Sequence, residues 1–148
     1  MPRIKRSENA QANRPFVPAN PENWSEASKR SQVYYCNVVE YQDIYYLCCH
    51  CQCMATFSAE AQRESFEVRK NYFWQRRKLC EECFKVRVQF ECEVKECQRR
   101  WKVERPALER DRAVLTRWLQ LLEELPRYGA PQNGGQIRML DKLLAIAV

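Results

Sequence analysis

The sequence contains little glycine and histidine, and it has no long apolar run. Only three of its 148 residues are glycine, and a single residue is histidine. With so few glycines the chain has no Gly-rich phosphate-binding loop, so nothing in it indicates nucleotide hydrolysis. It also has no run of about eighteen or more apolar residues, which excludes a transmembrane helix, and we expect no membrane partner.

The first residues also lack the features of a secretory signal. The run Met-Pro-Arg-Ile-Lys-Arg is followed by polar residues instead of an apolar segment. We therefore expect a cytoplasmic location, where cysteines stay reduced. Because the chain has nine cysteines, we expect metal ligands among them rather than a disulfide framework.

Composition and length indicate a small folded protein. Apolar residues make up 45% of the chain and charged residues 30%, which is enough for a modest core in one domain with appendages. The formal net charge is +6. Such an excess permits contact with acidic partners but does not identify one.

The chain divides into three predicted segments, which together indicate an α+β fold. Residues 1–32 are rich in proline and asparagine and predict a flexible arm. Residues 33–87 predict a small domain of short antiparallel strands and one helix. Residues 88–148 predict a helical extension of two to three helices, which packs on or beside this small domain. The arm contains three candidate anchor points for docking: Phe16, Val17 and Trp24.

Within residues 33–87, β-rich and helix-starting signals alternate. Ser58 is typical of a helix N-cap and predicts a helix that lasts to about Arg69. The aromatic run at 72–74 predicts an extended segment packed on the core. The runs that predict strands are 33–35, 38–39, 44–47 and 54–57.

From Glu81 onward the apolar residues recur with helical spacing. One stripe repeats at intervals of three or four residues, and Pro106 ends the first helix. The second helix is predicted from about Ala107 to Pro126, and a last helix spans about 137–144. The stripe of the first helix consists of Val86, Phe90, Val94, Cys97 and Trp101.

Two C-x2-C pairs are the strongest functional signal in the sequence. Cys48 and Cys51 form the first pair, Cys80 and Cys83 the second, and 28 residues separate the pairs. Each pair lets one tight turn direct two sulfurs at a single ion, and four thiolates suit the tetrahedral site of structural zinc. The sequence therefore predicts one structural Zn²⁺.

Neighbouring residues leave the assignment of the first pair open. His50 and Cys53 have the same spacing, so a shifted pair is an alternative, and Cys49 is a further sulfur beside the turn. We favour Cys48 with Cys51, in which case Cys49 and Cys53 are free thiols near the metal.

With these residues the sequence resembles a zinc-ribbon domain family of bacteria, in which two C-x2-C knuckles surround a Phe-Thr-Ala-x-x-Gln-like segment. Besides the cysteine pairs, the matching residues are Asp43, five positions before Cys48, and the run Phe57-Ser58-Ala59-Glu60-Ala61-Gln62. The match spans residues 41–87, about a third of the chain. It implies a zinc-ribbon fold for the small domain at residues 33–87, together with metal binding, and no defined activity.

The chain departs from this family at the glycine that often follows a knuckle. Gln52 and Phe84 occupy those positions. A knuckle turn favours positive φ, which glycine supplies at little cost. We expect Phe84 instead to mark the entry into a helix.

No catalytic site is predicted. A catalytic zinc keeps an open position and has three protein ligands rich in histidine or carboxylate, whereas four cysteines close the coordination shell. We therefore expect that the chain is not an enzyme.

A basic and aromatic segment follows the predicted helix of the ribbon. Such a mixture suits single-stranded nucleic acid, where cations hold phosphates and rings stack on bases. The alternative is that the rings build the small core and the cations offset the charge of a zinc–thiolate site. The candidate contact residues for nucleic acid or another partner are Arg69, Lys70, Trp74, Arg76, Arg77 and Lys78.

The leucines of the C-terminal helices favour a protein partner. They supply more apolar surface than a minimal ribbon can cover, so they either fold back on the long helix or form a partner or homodimer interface. The sequence therefore predicts a protein-interaction or adaptor module. The alternative is an RNA- or single-stranded-DNA-binding accessory protein of transcription or translation.

Overall fold

The computed structural model describes residues 16–146 and confirms the α+β class. The described residues form two two-stranded sheets, β1–β2 and β3–β4, and six α-helices. They fall into two compact units. Unit 1 contains the described residues up to Tyr46 together with Thr56–Arg77, and unit 2 contains Leu47–Ala55 with the described residues from Lys78 onward. No helix in this part of the chain has the length and apolarity needed to cross a membrane.

The described half of the predicted arm carries regular structure. Strand β1 (Phe16–Pro18) pairs antiparallel with β2 (Glu40–Gln42), and a 3-10 turn and helix α1 (Glu26–Lys29) follow it. Ser25 starts α1 because its side chain accepts a hydrogen bond from the Ser28 N–H. Residues 1–15 of the predicted arm lie outside the described residues. From Phe16 onward the arm contains a strand and short helices, and its flexibility stays a prediction.

The prediction of a strand at 33–35 is wrong. Gln32–Cys36 forms a 3-10 helix, in which the Tyr34 N–H bonds to the Ser31 carbonyl. Asn37 ends this helix in the left-handed conformation, with φ of 51°. Asparagine tolerates that region, and the resulting turn outweighs the β-propensity of the preceding residues.

The predicted strands at 44–47 and 54–57 and the helix that follows them are confirmed. Strands β3 (Ile44–Leu47) and β4 (Met54–Phe57) form a hairpin, and helix α2 (Ala59–Arg63) continues as a single π-helical segment over Glu64–Val68. The predicted N-cap is also present, since Ser58 Oγ accepts a hydrogen bond from the Ala61 N–H at 3.1 Å.

Unit 1 has an aromatic core. Trp24 stacks on Phe73 with ring centroids 4.6 Å apart, and Phe73 contacts Phe66 at 4.7 Å. The Trp24 indole N–H donates to the Tyr41 hydroxyl at 2.7 Å, so its polar atom is satisfied inside the core. Val17 and Trp24 are buried as the anchor prediction expects, whereas Phe16 is exposed.

Unit 2 contains the long helix and the C-terminal helices. Helix α3 (Glu81–Val103) leads through the one-turn α4 (Arg105–Leu108) to α5 (Arg112–Glu124), a 3-10 turn (Leu125–Tyr128) and α6 (Gly134–Ile146). The apolar stripe predicted on α3 packs into the core of this unit or against the cysteines. The buried core residues are Val94, Leu108, Leu115, Trp118, Leu121, Leu122, Leu125 and Leu140.

Two predicted boundaries need comment. The second helix was expected near Ala107 but α5 begins at Arg112, because Asp111 caps it by accepting the Val114 N–H at 3.2 Å. The domain boundary expected after residue 87 stays a prediction, and α3 runs through that position without a break.

Candidate metal centre

The four predicted cysteines meet in unit 2. The Sγ atoms of Cys48, Cys51, Cys80 and Cys83 all lie within 4.8 Å of one another. Cys51 is exposed and the other three residues are buried. Four sulfurs at Zn–S distances of about 2.3 Å in a tetrahedron lie about 3.8 Å apart, and the Cys51–Cys80 sulfur separation is 3.7 Å. The donor set and its spacing therefore fit a metal ion that prefers four thiolates.

The first knuckle is a tight turn at the tip of the β3–β4 hairpin. The Cys48 N–H bonds to the Cys53 carbonyl at 2.9 Å, and the Gln52 N–H bonds to the Cys48 carbonyl at 3.1 Å. Gln52 has a φ of 62°, so it adopts the left-handed conformation that the knuckle was expected to need. A residue other than glycine adopts this conformation at a cost of about 1–2 kcal/mol.

The second knuckle is built into the start of α3. Cys80 is the N-cap of this helix, and its Sγ accepts the Cys83 N–H at 3.5 Å. Phe84 lies inside α3, which confirms that the chain enters a helix there. The free N–H groups and the positive end of the helix dipole favour negative charge at this position, which suits two thiolates.

The surroundings of the sulfurs shift their pKa values in opposite directions. Burial alone would raise the pKa of Cys48, but N–H groups of Cys51, Cys80 and His50 donate to its sulfur and lower the pKa to about 6. Burial and the neighbouring thiols raise the pKa of Cys83 well above its ordinary value. Four thiolates at this distance would repel one another, and a divalent cation at their centre would allow all of them to ionise.

An aromatic residue covers the site from the turn after α5. The Tyr128 ring stacks on the His50 imidazole with centroids 3.9 Å apart and contacts Phe90 edge-on at 5.6 Å. Arg87 fixes this turn by donating to the Tyr128 carbonyl at 3.2 Å. His50 Nδ1 in turn lies 3.4 Å from Cys83 Sγ. No pattern in the sequence indicated Tyr128, because it lies between the helix predicted to end at Pro126 and the helix predicted at about 137–144.

The remaining residues near the knuckle lie outside the four-sulfur group. Cys53 Sγ is 3.0 Å from Cys51 Sγ, and this contact lowers the pKa of Cys51 and raises that of Cys53 to about 12. Cys49 is exposed, and its N–H bonds to the Lys78 carbonyl at 2.8 Å. Thus the arrangement groups Cys48 with Cys51 and not His50 with Cys53.

The segment that carries the family resemblance serves the fold of unit 1. Asp43 Oδ1 accepts the Ala59 N–H at 2.8 Å, so Asp43 and Ser58 together satisfy two free N–H groups at the start of α2. Gln62 is buried, and its Nε2 donates to the Gln42 carbonyl at 2.5 Å and the Phe57 carbonyl at 3.0 Å. These residues are therefore structural and are not metal ligands.

Only some of the predicted contact residues lie together in the structure. Arg69 pairs with Glu64 at 3.7 Å, and Lys70 Nζ donates to the Asn23 carbonyl. Lys78 belongs to unit 2. The other three line one cleft of unit 1: Trp74, Arg76 and Arg77.

The segment around these residues is not extended. Phe73 and Trp74 form a turn, closed by the bond from the Gln75 N–H to the Tyr72 carbonyl at 3.0 Å, so the predicted extended segment at 72–74 is wrong.

In comparisons with known protein families, curated proteins and solved structures, the chain matches none of them. The resemblance to bacterial zinc-ribbon domains thus rests on the motifs alone. The structure shows an α+β protein with a cysteine cluster at metal-binding distance, followed by a helical C-terminal part.

Proposed function

We propose that the chain is a non-catalytic zinc-binding protein in which one Zn²⁺ has a structural role. The observation that carries this proposal is the group of four cysteine sulfurs within 4.8 Å of one another. Four thiolates complete the tetrahedral shell, so no position stays open for water or substrate. The ion ties the hairpin tip to the first turn of α3 and adds its binding free energy to folding.

The charge of the site fits this role. Four thiolates and Zn²⁺ together carry −2, which changes the formal charge of the chain from +6 to +4. The N-terminus of α3 offsets part of this charge. A proton on His50 Nδ1, 3.4 Å from Cys83 Sγ, would donate to that thiolate as a further compensation.

Metal analysis of the full chain tests the ligand set. We expect about one zinc per chain, and we expect Cys80→Ser with Cys83→Ser to abolish zinc binding and the amide protection of the hairpin tip. The matched control is Cys92→Ser, which replaces an exposed cysteine on α3. This variant should keep its zinc. A double variant that keeps stoichiometric zinc and its thermal melt would contradict the proposal.

A second pair of variants tests the register of the first knuckle. We expect Cys51→Ser to weaken zinc binding far more than Cys53→Ser does, since only Cys51 belongs to the four-sulfur group. The reverse order would assign the site to the shifted pair that includes His50.

The proposed role of the folded chain is recognition of a protein partner, as an interaction or adaptor module. The C-terminal leucines give this role less support than the sequence indicated, because most of them are inside the core of unit 2. Better support comes from α3, where Phe84 and Val88 are one turn apart and 56% and 40% exposed. Exposed apolar side chains that form a contiguous patch mark interaction sites.

Affinity purification tests this role. We expect the zinc-loaded chain to retain a protein partner after nuclease treatment, and the variant with Phe84→Ser and Val88→Ser to lose it. The matched control is Val103→Ser, which removes an exposed apolar residue at the other end of α3. Partners that disappear with nuclease, or that both variants keep, would contradict a protein-docking role for this face.

Nucleic-acid binding is the second candidate function. The observation that favours it is the cleft of unit 1, where three of the predicted contact residues converge.

A further inference from the structure

The cleft of unit 1 combines aromatic walls with a basic rim. Its volume is 320 Å³, near the lower end of the range of about 300–1,000 Å³ for sites that bind small ligands. Phe57 and Phe73 contribute to its walls, and Trp74, Gln75, Arg76 and Arg77 also line it. No carboxylate occurs among its lining residues.

The wall that carries Trp74 is held in place by hydrogen bonds. The Asn71 N–H donates to the Ser65 carbonyl at 2.9 Å, and the Phe73 N–H donates to Ser28 Oγ at 2.9 Å. Trp74 contacts Phe73 edge-on at 6.0 Å and is nevertheless 49% exposed. An exposed indole on an ordered turn loses little conformational entropy when a ligand stacks on it.

The two arginines of the rim have no acidic partner in residues 16–146. Arg77 lies over the Phe57 ring, with Cζ 3.9 Å from the centroid, and neither it nor Arg76 forms an ion pair there. By contrast Arg69, nearby in sequence, pairs with Glu64. The charge of Arg76 and Arg77 is therefore available to a negatively charged ligand.

We propose that this cleft binds an unpaired base of single-stranded nucleic acid. The base stacks on the indole of Trp74, and Arg76 and Arg77 contact the adjoining phosphates. A planar ligand flanked by negative charge fits flat aromatic walls and cations without carboxylates, and this combination is characteristic of single-strand binding. The proposal rests on the second candidate function above, and it does not depend on the zinc site, since no lining residue of the cleft is one of the four cysteines.

Fluorescence anisotropy with a labelled single-stranded octanucleotide tests the proposal. The zinc-loaded full chain is titrated at about 50 mM salt, where phosphate contacts are strong, with RNA and DNA versions in separate arms. We expect binding in at least one arm. Trp74→Ala should weaken it about five- to 150-fold, which is the loss expected for one stacked base. The matched aromatic control is Tyr35→Ala, an exposed tyrosine of the same unit outside the cleft, which should bind like the wild type.

A charge-matched pair of variants tests the phosphate contacts. Arg76→Ala with Arg77→Ala should weaken binding and reduce its salt dependence, because two phosphate contacts are lost. The control is Lys95→Ala with Lys102→Ala, which removes two positive charges from exposed positions on α3. It should leave the salt dependence of oligonucleotide binding unchanged.

Three results would overturn the proposal. They are failure of the zinc-loaded wild type to bind either oligonucleotide, binding that Trp74→Ala leaves intact, and Trp74-dependent binding of an acidic aromatic peptide in place of nucleic acid. The metal content of the same samples distinguishes each of these results from failure of the zinc proposal. A chain that binds the oligonucleotide but lacks zinc refutes only the metal site.

Discussion

Replacement of Gln62 by methionine measures how far unit 1 depends on one buried amide. Gln62 is 4% exposed, and its Nε2 is the donor to two carbonyls, those of Gln42 and Phe57. Methionine keeps the length and flexibility of the side chain but offers no hydrogen-bond donor. Both carbonyls then lose this partner while the packing changes little.

The expected cost follows from the burial of the two bonds. A carbonyl left unsatisfied inside a protein costs about 1–3 kcal/mol. The bond to Phe57 is buried and the bond to Gln42 is partly buried, so the second carbonyl regains some hydration. We therefore expect a loss of about 2–4 kcal/mol, a large part of the 5–15 kcal/mol that typically stabilises a domain.

The assay is hydrogen exchange of the α2 amides in the zinc-loaded chain. These amides report on unit 1 alone, whereas a tryptophan signal would include the tryptophans of unit 2. A loss of 2–4 kcal/mol should speed exchange about 30- to 1,000-fold. The control is Gln42→Met, whose exposed side chain bonds only to Glu40 among the described residues while its carbonyl stays in place. If Gln62→Met exchanges within about threefold of the wild type, the carbonyls do not need this amide and the reasoning is refuted.

Two further substitutions test the helices. Asp43→Ala removes the acceptor of the Ala59 N–H and should destabilise unit 1 by about 1 kcal/mol in hydrogen exchange of α2; an unchanged rate would show that Ser58 alone suffices as the cap. Leu140→Ala empties a fully buried position in the core of unit 2 and should cost about 2–5 kcal/mol in urea unfolding followed by circular dichroism. The control is Ile146→Ala at the exposed end of the same helix, which should change the free energy of unfolding by less than about 0.5 kcal/mol. Equal losses of stability in the two variants would contradict the packing of α6.

Features that depend on short-range chemistry were predictable from the sequence. The spacing of the cysteine pairs identified the four sulfurs that meet, and Ser58 identified the start of α2. The apolar stripe identified α3 and its buried face, including Val94. In each case the residues that determine the structure are a few positions apart, so the pattern is visible in the sequence.

Features that depend on distant partners were missed. The β-propensity of Val33 and its neighbours was outweighed by a 3-10 turn that buries Val33 in the aromatic core of unit 1. Trp24 is ordered because Tyr41 and Phe73, 17 and 49 positions away, complete its surroundings. Polar composition alone could not reveal such a core in the predicted arm.

The same reason explains why residues 47–55 belong to unit 2. Their strands continue into unit 1, but Cys48 is buried in a cluster with Leu79, Cys83 and Tyr128. Tyr128 comes 80 residues after Cys48. No local pattern predicts a contact between residues so far apart in the chain.

The charge distribution bears on how the cleft of unit 1 would bind nucleic acid. The described residues of this unit carry seven Lys or Arg and seven Asp or Glu, so its formal charge is zero. Long-range attraction is therefore weak, and the cations at the rim must act by direct contact. Two phosphate contacts predict a slope of about −1.4 for log affinity against log salt with a single strand. A slope near zero would mean that the base stacks but that no phosphate is contacted. A slope steeper than about −3 would require contacts from cations outside the cleft.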